Sequence, residues 1–267
     1  MELFDSHAHL ESPRFVEDRE RVIARAEAAG VTRIVSCGSD LETSRAEVVL
    51  AQSHPSIYAA VGLHGHEASS ALDGNAAVSD ANADEAVVLD EQLFAELAEL
   101  AAQPRVVAWG EIGLDYHYNF SPPAVQRAVF RRQLSLAREA GLPVIIHTRE
   151  SDEDVRRLVD EGPCGLRGVL HCFLSDRTMA EWALARGFYI GVAGPITFKN
   201  VRHLADIVRQ VPLDRLLIET DSPYLAPHPH RGTRNEPALV VHVAEKLAER
   251  EARHQRKGDD HLRHDHR

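Results

Sequence analysis

The chain has 267 residues, 44% of them hydrophobic and 27% charged, with a net charge of −11. That composition is globular and long enough for one barrel or two smaller domains. Its acidity argues against a protein that works by coating phosphate backbones. The three cysteines (Cys37, Cys164, Cys172) form no CxxC pair, which excludes a disulfide framework and points to a reducing, cytoplasmic setting. No apolar run approaches the roughly 18 residues of a membrane span. The start, MELFDSHAHL, lacks the basic and apolar regions of a signal peptide.

Eight short, nearly continuous apolar runs follow one another: LFDSH (3–7), TRIVSC (32–37), IYAAVGLH (57–64), VVAWGEIG (106–113), LPVIIH (142–147), GVLHC (168–172), GFYIGV (187–192) and RLLIET (215–220). Runs of this kind suit parallel strands covered on both faces. Amphipathic stretches separate them. FVEDRERVIARAEAAG should close at Gly30, the stretch opening at Ser121 as N-cap with Pro122 first in the helix should close at Gly141, and EWALARG should close at Gly187. Eight strand–helix units in about 250 residues predict a single-domain α/β protein, a (β/α)8 TIM barrel. A doubly wound open sheet is the alternative, but the first run ends in Ser-His-Ala-His and no GxGxxG or GxxxxGK[ST] occurs.

Two segments stand apart from the domain over 1–250. Residues 67–92 carry seven acids and no Lys or Arg, and read as a surface insertion. Residues 251–267 hold four histidines and few apolar residues, and read as a disordered charged tail. Without the −7 of the first and the +1 of the second, the body carries −5. The tail histidines have no fixed ligand spacing, so a low-complexity end is the plainer reading.

In a parallel barrel the chemistry gathers at the carboxyl ends of the strands. The runs end in His7 and His9, in Glu111, in His147, in His171 and in Glu219–Asp221. His7 and His9 are two apart, so on an extended strand both face one side. Taken alone they could be buried structural histidines. Imidazoles that end apolar runs would be costly to bury unpaired, and the whole set reads as metal ligands: His7, His9, Glu111, His147, His171 and Asp221. Six ligands exceed one tetrahedral site and fit two divalent cations sharing a carboxylate, which would activate a water between them.

These stretches resemble the TatD family of metal-dependent deoxyribonucleases, a branch of the amidohydrolase-like barrels. The resemblance is carried by DSHAHL (5–10), GEIGLDY (110–116), PVIIHTRES (143–151), GVLHCF (168–173), GFYIGVAGPITFKN (187–200), IETDSPYLAP (218–227) and RGTRNEP (231–237). It implies that His7, His9, Glu111 and Asp221 hold one cation, and that Glu111, His147 and His171 hold the other. It also implies a Mg-dependent nuclease acting on DNA, often 3′–5′, or a deacylase of D-aminoacyl-tRNA. Imidazole-rich ligation suits Zn, Mn or Fe better than Mg, and the metal is left open, with Mg, Mn and Zn the candidates. Three features depart from the family pattern: Gly65 where G-x-H-P-H has Pro, which should loosen that loop; the long acidic stretch; and a charged tail where the family has a further closing helix.

The function expected is a metal-dependent hydrolase, in the first place a phosphodiesterase, with Asp221 and Glu111 as the catalytic carboxylates. A deacylase, or a barrel that has become a binding protein, are the alternatives. Arg149, two beyond His147, should meet a phosphate oxygen. His64 should touch substrate, and Tyr116 and Tyr224 are placed to stack on a base. Glu219, two before Asp221, should orient a ligand, and Cys172 should point away from the mouth as a small core residue. The partner expected is single-stranded DNA or DNA ends, bound weakly through the cations. No membrane contact is expected, and a monomer is favoured.

Overall fold

The structure is a computed structural model describing residues 2–73 and 87–249. Eight parallel strands lie in the order β1 to β8: Leu3–Ala8, Val31–Cys37, Ile57–Val61, Val106–Asp115, Val144–Arg149, Gly168–Leu170, Tyr189–Val192 and Leu216–Ile218. A parallel bridge between Ala8 and Ser222 joins the last strand's exit to the first, so the sheet closes on itself. Helices alternate with the strands: α1 Arg19–Ala28, α2 Leu41–Ser53, α3 Glu91–Ala101, α4 Pro123–Ala140, α5 Asp152–Glu161, α6 Arg177–Ala185, α7 Arg202–Val208, and α8 over 240–249. This is a (β/α)8 barrel in one domain, and the open-sheet alternative falls with the closure. Among the described residues no helix is long and apolar enough to cross a membrane.

Alternation along the strands builds two cores. One face of each strand packs under the helices, with Trp109, Phe94, Phe130 and Phe188 fully buried there. The other face fills the barrel with smaller residues: Val35, Cys37, Ala60, Ala108, Ile145 and Val169. The inner face is apolar at the bottom and middle and polar only at the carboxyl ends. On β5, for example, Ile145 belongs to the inner core and His147 stands two residues above it.

The helix ends follow their local chemistry. Gly30, Gly141 and Gly187 take positive φ after α1, α4 and α6, as expected of left-handed C-terminal turns. Asp40 caps α2, accepting from the Thr43 N–H at 2.7 Å in a reciprocal capping box. The start of α4 differs from expectation. Pro122 is the cap and Pro123 the first helical residue, because Ser121 is engaged elsewhere. Its hydroxyl donates to the His66 carbonyl at 2.8 Å and accepts from the Ser69 N–H at 2.9 Å.

That engagement holds the segment after β3. The expected loosening at Gly65 does not occur: Gly65–Ala71 forms a 3-10 turn with Ala68 and Ala71 buried. A side chain at position 65 would meet Gln126 Oε1 at 2.7 Å and the Gly113 carbonyl at 2.8 Å, so glycine fits a tight passage here. Within the acidic stretch 67–92, Leu72 bridges to Leu89 and Asp90 caps α3, while 74–86 lie outside the described residues. The tail 251–267, including its histidines, also lies outside them.

Candidate metal centre

The polar strand ends converge at one mouth of the barrel. His7 and His9 leave β1 with their Nε2 atoms 3.1 Å apart. The His9 Nδ1–H donates to the Cys37 carbonyl at 2.8 Å, which leaves the Nε2 lone pair facing His7. Glu111, on β4, is 4% exposed and divides its two oxygens. Oε2 lies 3.4 Å from His7 Nε2 and 3.5 Å from His9 Nε2. Oε1 lies 3.0 Å from His147 Nδ1 and 3.3 Å from His171 Nε2. Asp221 completes the first side, its Oδ1 3.6 Å from His9 Nε2 and 3.8 Å from His7 Nε2. His171 stacks on His7, ring centres 3.8 Å apart. Cys172 and Asp221 hold φ of 45° and 57° just past their strands, a conformation that costs energy in non-glycine residues and recurs where a site dictates it.

Carboxylates stand behind the imidazoles. Asp115 Oδ2 accepts from His147 Nε2 at 3.0 Å, so Nδ1 presents its lone pair toward Glu111. Glu219 Oε1 lies 3.3 Å from His171 Nδ1, and Glu219 also accepts from the Cys172 N–H and, at 3.2 Å, from the Ser6 hydroxyl. Gly191 makes room for it: a Cβ there would sit 2.7 Å from Glu219 Oε2. Asp5 accepts from the Thr220 N–H at 2.8 Å and from the Thr220 hydroxyl at 2.6 Å, fixing the turn that delivers Asp221.

The electrostatics suit a cation. Burial holds His7 in the neutral form and lowers His64 to about 4. Burial also opposes charge on His9, yet Asp221 and Glu111 outweigh it and pull that imidazole up to about 9. His147 and His171 are raised in the same way, against burial, by Asp115 and Glu111 and by Glu111 and Glu219 respectively. Burial works against ionisation of Glu111, but its histidines win and hold it well below the usual carboxylate range. A divalent transition metal binds deprotonated imidazoles and carboxylates, so it would take the place of the protons that these carboxylates draw onto His9, His147 and His171. Three groups of side chains could each hold an ion: His7, His9 and Glu111; His7, His171 and Asp221; and His64, Glu111 and His147.

The substrate contacts expected from sequence fare unevenly. Arg149 is exposed at the mouth, its guanidinium 4.8 Å from the Tyr118 ring centre. His64 is buried, not open to solvent. Its Nδ1 accepts from the His66 N–H at 3.0 Å, so the neutral ring carries its proton on Nε2, 3.4 Å from Glu111 Oε1. His64 therefore orients Glu111 as a donor. Tyr116 is turned out of the mouth: its hydroxyl donates to Asp154 at 2.7 Å, between α4 and α5. The physical reason is alternation, since Asp115 points inward and its neighbour must point outward. Tyr224 does stand at the rim, half exposed, edge-on to His9 at 6.1 Å. Cys172 is not a strand residue, because β6 ends at Leu170; it lies half-buried in the turn beyond. Asp115 and His66 belong to the site and were not foreseen. The sequence signal for Asp115 is the period-two series 111, 113, 115, which continues past the apolar run ending at Gly113.

The sequence profile of the family described as TatD related DNase matches residues 4–259. The chain belongs to this family. A Bacillus subtilis protein described as an uncharacterized metal-dependent hydrolase, YabD, is 42% identical over 248 residues, 92% of this chain and 90% of its own. An Enterobacter lignolyticus protein described as a 3′-5′ ssDNA/RNA exonuclease, TatD, is 36% identical over 253 residues, 92% of this chain and 90% of its own. Among solved structures, the Escherichia coli TatD homologue YJJV superposes with a TM-score of 0.81 at 28% identity, covering 93% of this chain and 90% of that one. This TatD-family protein is thus a metal-dependent hydrolase by descent, with two separable His/carboxylate groups at its mouth.

Proposed function

We propose that this protein is a two-metal phosphodiesterase that removes nucleotides from the ends of single-stranded DNA or RNA. The observation that carries the reading is Glu111, whose oxygens divide between His7 and His9 on one side and His147 and His171 on the other. In this reading His7, His9 and Asp221 hold one cation, His147 and His171 the other, and Glu111 both. Bound there, two divalent cations would supply an activated water and offset the charge that builds on the phosphate. The imidazole-rich donors favour Mn or Zn over Mg.

The chain's own groups do the rest. Asp221 is held ionised, against burial, by His9 and His171, so its carboxylate can take the attacking water's proton. The His64 Nε2–H and the Asp115–His147 pair keep Glu111 and His147 in their orientations. The Arg149 guanidinium, free of carboxylates among the described residues, meets a phosphate oxygen at the rim. The relatives described as 3′-5′ ssDNA/RNA exonucleases support a strand-end substrate.

The test is release of nucleotides from single-stranded DNA by the purified protein with Mn²⁺ or Mg²⁺. Activity is expected to vanish with chelator and in Glu111→Ala. Cleavage that survives both would refute the reading, and hydrolysis of an aminoacyl-tRNA ester without strand cleavage would replace it.

A further inference from the structure

Two aromatic–arginine stations flank the metal centre, and they are built alike. On one side, Tyr118 follows Asp115 by three residues, and its N–H donates to Asp115 Oδ1 at 2.9 Å. On the other, Tyr224 follows Asp221 by three, and its N–H donates to the Asp221 carbonyl at 2.9 Å. Each tyrosine is thus pinned by its backbone to an acid of the centre, while the residue as a whole is 51% exposed. Each carries a guanidinium: Arg149 lies 4.8 Å from the Tyr118 ring centre and Arg14 lies 5.9 Å from that of Tyr224. Among the described residues neither arginine is held by a carboxylate. Phe120, 69% exposed, stacks on Tyr118 at 5.5 Å and 21°.

The stations touch opposite ends of the centre. Tyr224 meets His9, next to Asp221. Tyr118 and Phe120 meet His66, ring centres 5.7 Å and 4.8 Å away, and His66 adjoins His64 and His147. Solvent-facing rings fixed beside a polar well, each with an unneutralised cation, are the components that hold an unpaired base and its phosphate.

We infer that these are two nucleobase stations, one on each side of the scissile phosphate. The substrate is then a single strand at least two nucleotides long, with one base extending the Tyr118–Phe120 stack and the other lying on Tyr224. This deepens the phosphodiesterase reading and rests on it for the position of the phosphate. A duplex keeps its bases stacked on each other and cannot use either station.

The experiment compares a pentathymidylate strand with a pentamer of the same backbone whose residues lack bases, in the presence of Mn²⁺. KM and kcat are read from cleavage, and affinity from fluorescence anisotropy on slow-cleaving phosphorothioate versions. Phe120→Ala and Tyr224→Ala should each raise KM for the thymidine strand about tenfold, more than they lower kcat. The factor should fall to near one on the abasic strand, and Phe120→Tyr and Tyr224→Phe should restore the wild-type values. Arg149→Gln should reduce the salt dependence of binding by about one counterion. Equal losses on both strands, or equal affinity of the wild type for thymidine and abasic strands, would overturn the stations. If the wild type cleaves neither strand, the phosphodiesterase reading fails by itself, and the anisotropy ratios still decide whether the stations bind bases.

Discussion

Asp115 offers the sharpest probe of how the centre is held. It is 1% exposed, accepts from His147 Nε2 at 3.0 Å and from the Tyr118 N–H at 2.9 Å, and uses a different oxygen for each. Burial opposes its ionisation, but His147 and the Tyr118 N–H prevail and hold its carboxyl well below the usual range. Asp115→Asn keeps the volume and removes one acceptor. If the amide oxygen serves His147, the NH2 faces the Tyr118 N–H; if it turns the other way, His147 loses the partner that aims Nδ1 at Glu111. Losing such a partner typically weakens a metal about 10–100-fold, roughly 1.4–2.8 kcal/mol. The loss should fall on one cation only, because His7, His9 and Asp221 do not touch Asp115. Calorimetric titration of metal-free protein with Mn²⁺ should therefore give two steps in the wild type and a shift of one in the variant. Glu219→Gln, behind His171, should shift the same step. Two unchanged steps would refute the orienting role. A uniform weakening with a fall in melting temperature would mean that Asp115 supports the fold and not the ligand.

Metal-free protein should melt at lower temperature than protein saturated with Mn²⁺, because an ion that binds only the folded state stabilises it; scanning calorimetry with and without chelator checks this, and Glu111→Ala should abolish the difference. Gln133 is fully buried and serves three partners, accepting from the Leu63 N–H at 2.8 Å and from Trp109 Nε1 at 3.1 Å and donating to the Leu63 carbonyl at 2.8 Å. Gln133→Ala leaves all three unpaired and should cost about 3 kcal/mol in urea denaturation, whereas a loss under about 1 kcal/mol would mean that water replaces the amide. Asp18 is bound by Arg234 and by Arg25, which lower its pKa to about 2. A depressed folded pKa gives stability that is full above the ordinary carboxylate range and lost as pH falls through the folded value. Asp18→Asn should therefore be less stable than wild type at pH 7, with the gap narrowing below about pH 4; a gap that widens toward pH 3 would contradict the assignment.

The barrel was legible because eight apolar runs alternate with amphipathic stretches along the chain, and five of those runs end in polar side chains. The rule that strand ends carry the chemistry then brought together six positions that span the chain from His7 to Asp221. What was not legible depends on where strands end and how they alternate. The fourth strand runs two residues past the expected end at Gly113, so Asp115 takes the inward direction and Tyr116, expected to stack on a base, turns outward to Asp154. The sixth strand ends at Leu170, earlier than expected, and a left-handed residue at Cys172 replaces the extended step that would have turned it into the core. The partnership of His66 with Tyr118 and Phe120 joins the exits of β3 and β4, which lie about fifty residues apart in the chain. No local pattern announces it. Hydrophobic period reports the face of a strand, whereas loops are set by side-chain bonds such as that of Ser121 to the His66 carbonyl.

The charge of the whole chain is a poor guide to what its mouth attracts. Glu111, Asp115, Glu219 and Asp221 all lie within the polar floor and all are buried, and their charge is what draws protons onto His9, His147 and His171. The fixed cations near it, Arg149 at the end of β5 and Arg14 in a 3-10 turn, stand at the rim. They can draw a strand toward the mouth. Divalent ions seated among His7, His9, His147 and His171 would displace those protons and make the floor cationic where the reacting phosphate must sit. In the proposed reading the cations therefore precede the substrate. The division is also mechanical: the ligands sit on strands and strand ends braced by Asp115, Glu219 and Asp5, where small displacements would cost metal affinity, whereas the aromatic stations sit on loops that can vary without disturbing them. Substrate preference can then change through residues such as Phe120 and Tyr224 while the centre around Glu111 stays as it is.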